Sequence, residues 1–399
     1  MSRSTPFLPY VKIAAPSLGR SVAVTGLKVY LRENKHPVAQ LDVLMFGSRY
    51  THLQGRELLR QGVLTEGTPV QLSFGRSLYG GSSWCGYVLS AKRRAVGEGF
   101  ALANQPRIHV TYMLTGCTHT MQSQSSRSWI ASTRSYRSRD LIRSYGLRPH
   151  VQKSTVVQPG TAQNATSDFQ FLVQMAEELG RRVVVDNSEV YVTSPLVTLR
   201  TNVAPPTFTY NDMPGIKSTL HDFQEINGSM DPEGGRSTRQ ESFGYNTATG
   251  HVSRVVARKG KSSAFTTLQT RTDNVSQALA AEDVSGAADD ARLWVTANAE
   301  VTGDASLKPG QDVVLTGGGL DKSSRGLWMV KEAVHEFQLD QNTATHSFYR
   351  TGLVVGRDRT DGLSLVTRAH GLNETDLIAS RTILRGGRWV SSYVEGRAS

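Results

Sequence analysis

The chain has 399 residues, a formal net charge of +11 and a pI near 9.7, with 38% hydrophobic and 20% charged residues. That length exceeds one small core and suggests about two to four domains. It offers no run near the ~18 consecutive apolar residues of a membrane helix, no apolar signal core in MSRSTPFLPYVKIAAPSLGR, and only Cys85 and Cys117, which exclude a disulfide framework and are expected as buried fillers in a reducing cytoplasm.

Alternation opens the chain. Leu27, Val29 and Leu31 share one face, and Ala39, Leu41, Val43 and Met45 share another, so Val22–Tyr30 and Val38–Phe46 are predicted as paired strands. Strand-like runs follow at Pro69–Phe74, Trp84–Ser90 and Arg107–Leu114 between glycine-rich breaks, the rhythm of an antiparallel barrel or sandwich of about 110 residues. The period then changes. In SRDLIRSYGL, Leu141, Ile142 and Tyr145 predict a short helix that Gly146 ends. In SDFQFLVQMAEELG, Ser167 and Gln170 form a capping box, Phe171, Leu172, Met175, Ala176 and Leu179 make an apolar stripe, and Gly180 closes the helix. RRVVVDNSEVYVTSP reads as a hairpin turning at Asp186-Asn187-Ser188. Beyond Pro205-Pro206, a strand is expected at TFTY, a polar Gly-rich stretch over Asn227–Gly250, a helix within Asp273–Asn298, and strands again to Val355. The residues from Asp358 onward show no clean period and are expected to form an extended or partner-dependent tail.

Charge is partly clustered: Arg127, Arg134, Arg137, Arg139 and Arg143 lie among serines with Trp129 and Tyr136 nearby. This pattern allows a phosphate-tracking surface with stacking groups, or simply a solvated linker and the polar face of a helix.

Two stretches repeat each other. GTPVQLSFGRSLYGGSSWCGYVLS from Gly67 and GQDVVLTGGGLDKSSRGLWMVKEAV from Gly310 both run glycine, two residues, Val-x-Leu, a Gly/Ser-rich loop and then a tryptophan, so Val70 and Leu72 match Val313 and Leu315. The loop KPGQDVVLTGGGLDK is therefore a hairpin tip and not a phosphate cradle, since no GxxxxGK[ST] leads into a helix, and Gly317–Gly319 are expected to supply positive φ angles.

TSDFQFLVQMAEELGRRVVVDNSEVYV, with GDASLKPGQDVVLTG and GLWMVKEAVHEF, resembles the bacteriophage baseplate hub family, also seen as late-control (late control D) or tail-associated proteins and as the N-terminal part of VgrG spikes. The residues that carry the resemblance are Ser167, Asp168, Phe171, Leu172, Ala176, Gly180, Pro309, Gly310 and Trp328. It implies a mainly β fold with α+β insertions: two tail-tube-like antiparallel β-barrels, at 1–112 and at 206–249 with 300–357, and small α/β domains. A helix-helix-hairpin domain is expected at 113–205, an inserted helical or α+β segment at 250–299 and a C-terminal extension at 358–399. The resemblance further implies a homotrimeric virion protein made in the host cytoplasm. A tail tube or distal tail protein would lie above it and a spike or fibre below, with tape-measure protein and DNA in its channel. Three chains with two barrels each would meet a six-fold tube. The matched loops give the candidate contacts: Arg76, Leu78, Tyr79, Ser83, Gly317, Leu320, Lys322 and Arg325. A positive lumen would hinder DNA sliding, so most of the charge is expected to face away from the channel.

No enzyme pattern stands beside this. VHEFQ at His335 lacks the second histidine of HExxH, Cys117-x-His119 has no second ligand pair, and GRSLYG is not a nucleophile elbow. The carboxylate pairs Glu177/Glu178 and Asp289/Asp290 fit solvent faces. No cofactor or metal is expected. The alternative is a peptidoglycan-binding or wall-degrading tip protein in which residues 130–200 act as a LysM-like module.

Overall fold

The computed structural model describes residues 9–15, 22–46, 64–76, 80–96, 107–195, 197–199, 204–211, 217–226, 239–246, 251–258, 268–274, 282, 293, 295–339, 347–357, 367–368 and 381–392. The first module comprises β1 (Pro9–Ala14), β2 (Val22–Arg32), β3 (Val38–Phe46), β4 (Pro69–Arg76), β5 (Gly80–Val96) and β6 (Arg107–Gly116). They lie in the order β1-β4-β5-β6-β3-β2. The predicted faces are the ones that fold inward: Leu27, Val29, Leu41, Val43, Val70, Leu72 and Leu114 are all buried. Each such aliphatic side chain contributes about 1.5–3 kcal/mol of burial.

A small α/β domain follows. It contains β7 (Gln124–Trp129), β8 (Ser132–Thr133), helix α1 (Arg134–Ser144), β9 (Arg148–Val151), β10 (Val157–Gln158), β11 (Thr161–Ser167), helix α2 (Asp168–Glu178), β12 (Arg182–Asp186), β13 (Glu189–Thr193) and β14 (Val197–Thr198). Both helix ends obey their predicted signals. The Ser167 hydroxyl accepts from the Gln170 amide while the Gln170 side chain accepts from the Ser167 amide, and Gly146 and Gly180 take φ of 72° and 58° past the two helices. Asn187, at φ 56°, turns the β12–β13 hairpin, and β9 adds to it in parallel. Leu141, Ile142, Leu172, Ala176, Val183 and Val190 form this domain's own core.

The second module is built from β15 (Thr207–Thr209), β16 (Leu220–Ile226), β20 (Val295–Thr302), β21 (Asp312–Thr316), β22 (Gly326–Gln338) and β23 (Phe348–Arg357). Between β16 and β20 lies a three-stranded sheet of β17 (Arg239–Asn246), β18 (His251–Arg258) and β19 (Leu268–Asn274). The segment expected to be polar and Gly-rich over Asn227–Gly250 is thus strand where it is described. Most of the helix expected within Asp273–Asn298 lies outside the described residues, and its end, Val295–Asn298, is strand because it alternates buried and exposed positions.

The tail expectation needs correction. β24 (Thr367–Arg368) pairs with β14, and β25 (Thr382–Arg385) with β26 (Arg388–Ser391) forms a hairpin turned by Gly386 and Gly387, at φ 53° and 76°. Trp389 is buried against the small domain, donating from Nε1 to the Gly86 carbonyl at 2.8 Å, and its amide lies 2.7 Å from the Tyr87 hydroxyl. A Gly-Gly pair between alternating runs is a hairpin signal, and RGGRWV carries it.

Candidate functional site

The chain's chief constructional feature is its duplication. In the second module the strands are ordered β15-β21-β22-β23-β20-β16, which is the order of the first module strand for strand. One difference is that β15 runs parallel to β21 where β1 runs antiparallel to β4. The correspondence reaches single hydrogen bonds. The Gly67 amide donates to Val88 O and the Val88 amide to Thr68 O, at 2.8 and 3.0 Å; Gly310 donates to Val330 O and Val330 to Gln311 O, both at 2.8 Å. Gly67 and Gly310 sit at φ 79° and 82°, a left-handed conformation that favours glycine. Bulges recur at matching places, after Val88 in β5 and Val330 in β22, and after Val24 in β2 and Leu220 in β16.

The tryptophans depart from their sequence match. Leu72 faces Trp84 across the β4–β5 ladder, whereas its counterpart Leu315 faces Gly326, and Val313 faces Trp328. Trp328 is therefore the ladder equivalent of Gly86, and Trp84 of Gly326. A side chain on Gly86 would collide with the Trp84 ring, so Trp84 fills from two residues away the space that Trp328 fills directly.

The modules are spliced into one sheet. β2 pairs antiparallel with the second half of β22, from Gly26 opposite Gln338 to Arg32 opposite Glu332. Two ion pairs cross this joint on its outer face, Lys28–Glu336 at 2.7 Å and Arg32–Glu332 at 3.1 Å. Both are about 40% exposed, and such pairs select register more than they add stability. Beneath them Val29, His335 and Phe337 are buried in a core shared by both modules. His335 lies between the Tyr349 hydroxyl and the Leu307 carbonyl, both 2.9 Å away, and burial lowers its pKa to about 4.

The small domain is wedged on this frame by its hairpin turn. Asn187 accepts from the Cys85 amide and donates to Ser83 O, Lys308 pairs with Asp186 at 2.6 Å, and Asn34 exchanges two hydrogen bonds with Val183. Ser83, expected at a loop tip, thus lies in β5 and holds the small domain. Arg76 ends β4, donates to Tyr349 O at 3.2 Å and covers the Tyr349 ring. It lines an open cleft of about 1110 Å³ beside His221, Tyr349 and Arg350. Burial raises the Tyr349 pKa above its ordinary value, and burial with Arg350 nearby lowers that of His221. Leu78 and Tyr79 lie outside the described residues.

In the second matched loop, only Gly317 of the three glycines has positive φ, at 125°. Gly317 and Gly319 are needed because Tyr210 lies where their side chains would be. Arg325 closes its own loop by donating to the Leu320 and Gly318 carbonyls, Leu320 is buried, and Lys322 is exposed. Trp328 is fully buried and lies under the Arg357 guanidinium at 3.9 Å. Next to Pro309, Gly310 lies against Leu199, where a side chain would collide.

The basic segment has internal work. Arg127 pairs with buried Asp168 at 2.8 Å, and Asp168 also accepts from the Tyr145 hydroxyl at 2.6 Å and from Gln163 at 2.7 Å. Arg134 is buried beside Glu178. Arg137, 1% exposed, donates to the carbonyls of Ile130, Gln158 and Pro159 and to three side-chain oxygens. Arg139 caps Val151 O, and Trp129 stacks on Phe171. These groups hold loops together; sequence missed this because a buried arginine and a solvated one are the same letter. Among the described residues no cluster of three or more His, Cys, Asp or Glu could hold a metal. Cys117 and Cys85 are buried free thiols, and burial pushes the Cys85 pKa up to about 12, the opposite of an activated nucleophile. Glu177 accepts from Asn34, and Asp289 and Asp290 lie outside the described residues.

No protein-family model and no curated protein sequence matches the chain. Solved structures do. The tail protein from Neisseria meningitidis MC58 aligns with a TM-score of 0.60 at 10% identity, over 91% of this chain and 100% of that one. The 43 kDa tail protein of prophage MuSo2 from Shewanella oneidensis gives 0.55 at 12% identity, over 88% and 99%. The E. coli c3393 protein, a component of the type VI secretion system similar in structure to T4 bacteriophage tail proteins gp27 and gp5, gives 0.53 at 9% identity, over 86% and 76%. The chain has the fold of these tail and secretion-system proteins, and the resemblance read from its sequence holds at that level.

Proposed function

We propose that the chain is a structural tail component: a homotrimeric baseplate or tail-tip hub that joins a six-fold tail tube to a three-fold tip. It would surround part of the channel taken by tape-measure protein and DNA. The observation that carries this reading is the duplication, two modules of one strand order spliced edge to edge in a single sheet. A chain with two like modules lets three subunits present six like surfaces, which is what a three-fold to six-fold adaptor needs. The fold shared with tail proteins supports the same conclusion. The small domain, fixed to both modules through Asp186, Asn187 and Val183, serves as a rigid spacer on the ring's flank. The function is geometric, and no described constellation calls for catalysis.

Negative-stain class averages of the purified protein test this. Six-lobed rings with a central hole are expected; single two-lobed particles, with retention of the protein on purified peptidoglycan, would favour a wall-binding role instead.

A further inference from the structure

The chain has two cysteines in 399 residues, and the fold brings them together. β5 and β6 pair antiparallel down to Gly86 opposite Gly116. One position further, the ladder sets Cys85 opposite Cys117, because Gly116 is still extended, at φ −70° and ψ −179°. Both side chains lie in the core of the small domain, and the Cys117 thiol donates to the Cys85 carbonyl at 3.3 Å. Burial raises the Cys117 pKa, and Cys85 close by adds to the rise. A buried residue touches about 6–12 others, so two residues scattered at random in a chain of this length would meet in about 2–3% of cases.

We propose that Cys85 and Cys117 are a modification site, a dithiol that a small-molecule disulfide converts into a cross-strand disulfide. Opposed residues on an antiparallel ladder have Cα atoms about 4.5–5.5 Å apart and side chains on one face, inside the range of about 4.4–6.8 Å that a disulfide spans. One thiolate attacks the reagent, whose first half leaves as a thiol; the sulfur of the second cysteine then displaces the other half from the mixed disulfide. The reagent takes both thiol protons and both electrons, so each bridge formed releases two small thiols.

The bond acts at a joint. Cys117 is where the chain leaves β6 for the small domain, and Cys85 is where that domain's hairpin turn is hooked, its amide donating to the Asn187 side chain at 2.8 Å. A bridge closes the loop between them and removes its freedom from the unfolded chain. Raised pKa values keep both thiols slow to react. The C-terminal hairpin also covers them: β26 packs on the short helical turn Cys117–Gln122, and Trp389 shares their core and donates to the Gly86 carbonyl. Lifting that hairpin is the way in for the reagent. The tail reading enters only through the change of compartment, from a reducing cytoplasm to an oxidising exterior; the bond itself depends on the fold alone.

The test exposes full-length protein to hydroxyethyl disulfide and reads it by alkylation under denaturing conditions and by peptide mapping. Wild type is expected to lose both alkylatable thiols together and to give one cross-linked peptide pair holding Cys85 and Cys117. Its melting midpoint should rise by about 5 °C. Cys117→Ala and Cys85→Ala cannot close the bridge and should show no rise; where one of them fails to fold, the other serves. Trp389→Phe, which keeps a ring but not the bond to Gly86, should close the bridge several-fold faster. Thiols that stay alkylatable even after unfolding and refolding in the reagent, or that each carry a mixed disulfide, would overturn the pairing. A bridge that leaves the midpoint unmoved or lowers it would overturn its role as a staple. Equal rates in wild type and Trp389→Phe, or a bridge that forms only on refolding, would overturn entry through the hairpin. A bridge formed by a protein that stays monomeric would support the pairing while contradicting the ring.

Discussion

At the scale of residues, the structure turns several charged or unusual side chains into internal fasteners. Arg137 ties Ile130, Gln158 and Pro159 together, so Arg137→Ala leaves several acceptors without a donor and should cost about 2–4 kcal/mol, measured by urea unfolding. Arg137→Lys should rescue little, because an ammonium cannot reproduce the guanidinium fork. His335 predicts a pH response. Its pKa falls from 6.5 to about 4 on folding because it is buried, so the unfolded chain takes up the proton first as pH drops. Stability is fully present above 6.5 and is lost toward 4, by up to about 1.4 kcal/mol per pH unit. Thermal melts across that window should be steeper for the wild type than for His335→Gln; parallel slopes would remove His335 as the cause. Sequence offered Arg137 and His335 only as a charge and a possible ligand, because burial is a property of the fold around them.

At the scale of elements, local signals were readable wherever one residue does one job. The capping box at Ser167 and Gln170, the stop glycines Gly146 and Gly180 and the alternation of β2 and β3 all appear as expected. The matched glycines give a graded prediction. Alanine at either Gly67 or Gly310 meets a left-handed φ and should cost about 1–2 kcal/mol, and Gly310→Ala should cost more, because Leu199 occupies its side-chain space while Gly67 is open. Equal losses would contradict the packing described. The C-terminal hairpin was legible in RGGRWV but obscured by the irregular stretch around it. Since Trp389 fills the small domain's edge, Trp389→Ala should lower unfolding stability by about 3–5 kcal/mol; an unchanged melt would return residues 382–391 to the status of a tail.

At the scale of the whole molecule, the repeated Val-x-Leu hairpin disclosed a duplication, but not the splice that makes it one sheet. That splice depends on which strand edges meet some 300 residues apart in sequence, as Gly26 and Gln338 do, and no local periodicity encodes it. The tryptophan match illustrates the same limit, since Trp84 and Trp328 align by letter yet stand two ladder positions apart. Two like modules in one chain accord with the proposed assembly, in which three subunits present six like surfaces. The measurement that tests this most directly is the native mass by light scattering over a range of protein and salt concentrations. Three chains of 43.6 kDa give about 131 kDa, and the account predicts this mass over the concentration range. A mass that stays at 43.6 kDa at every concentration would contradict it.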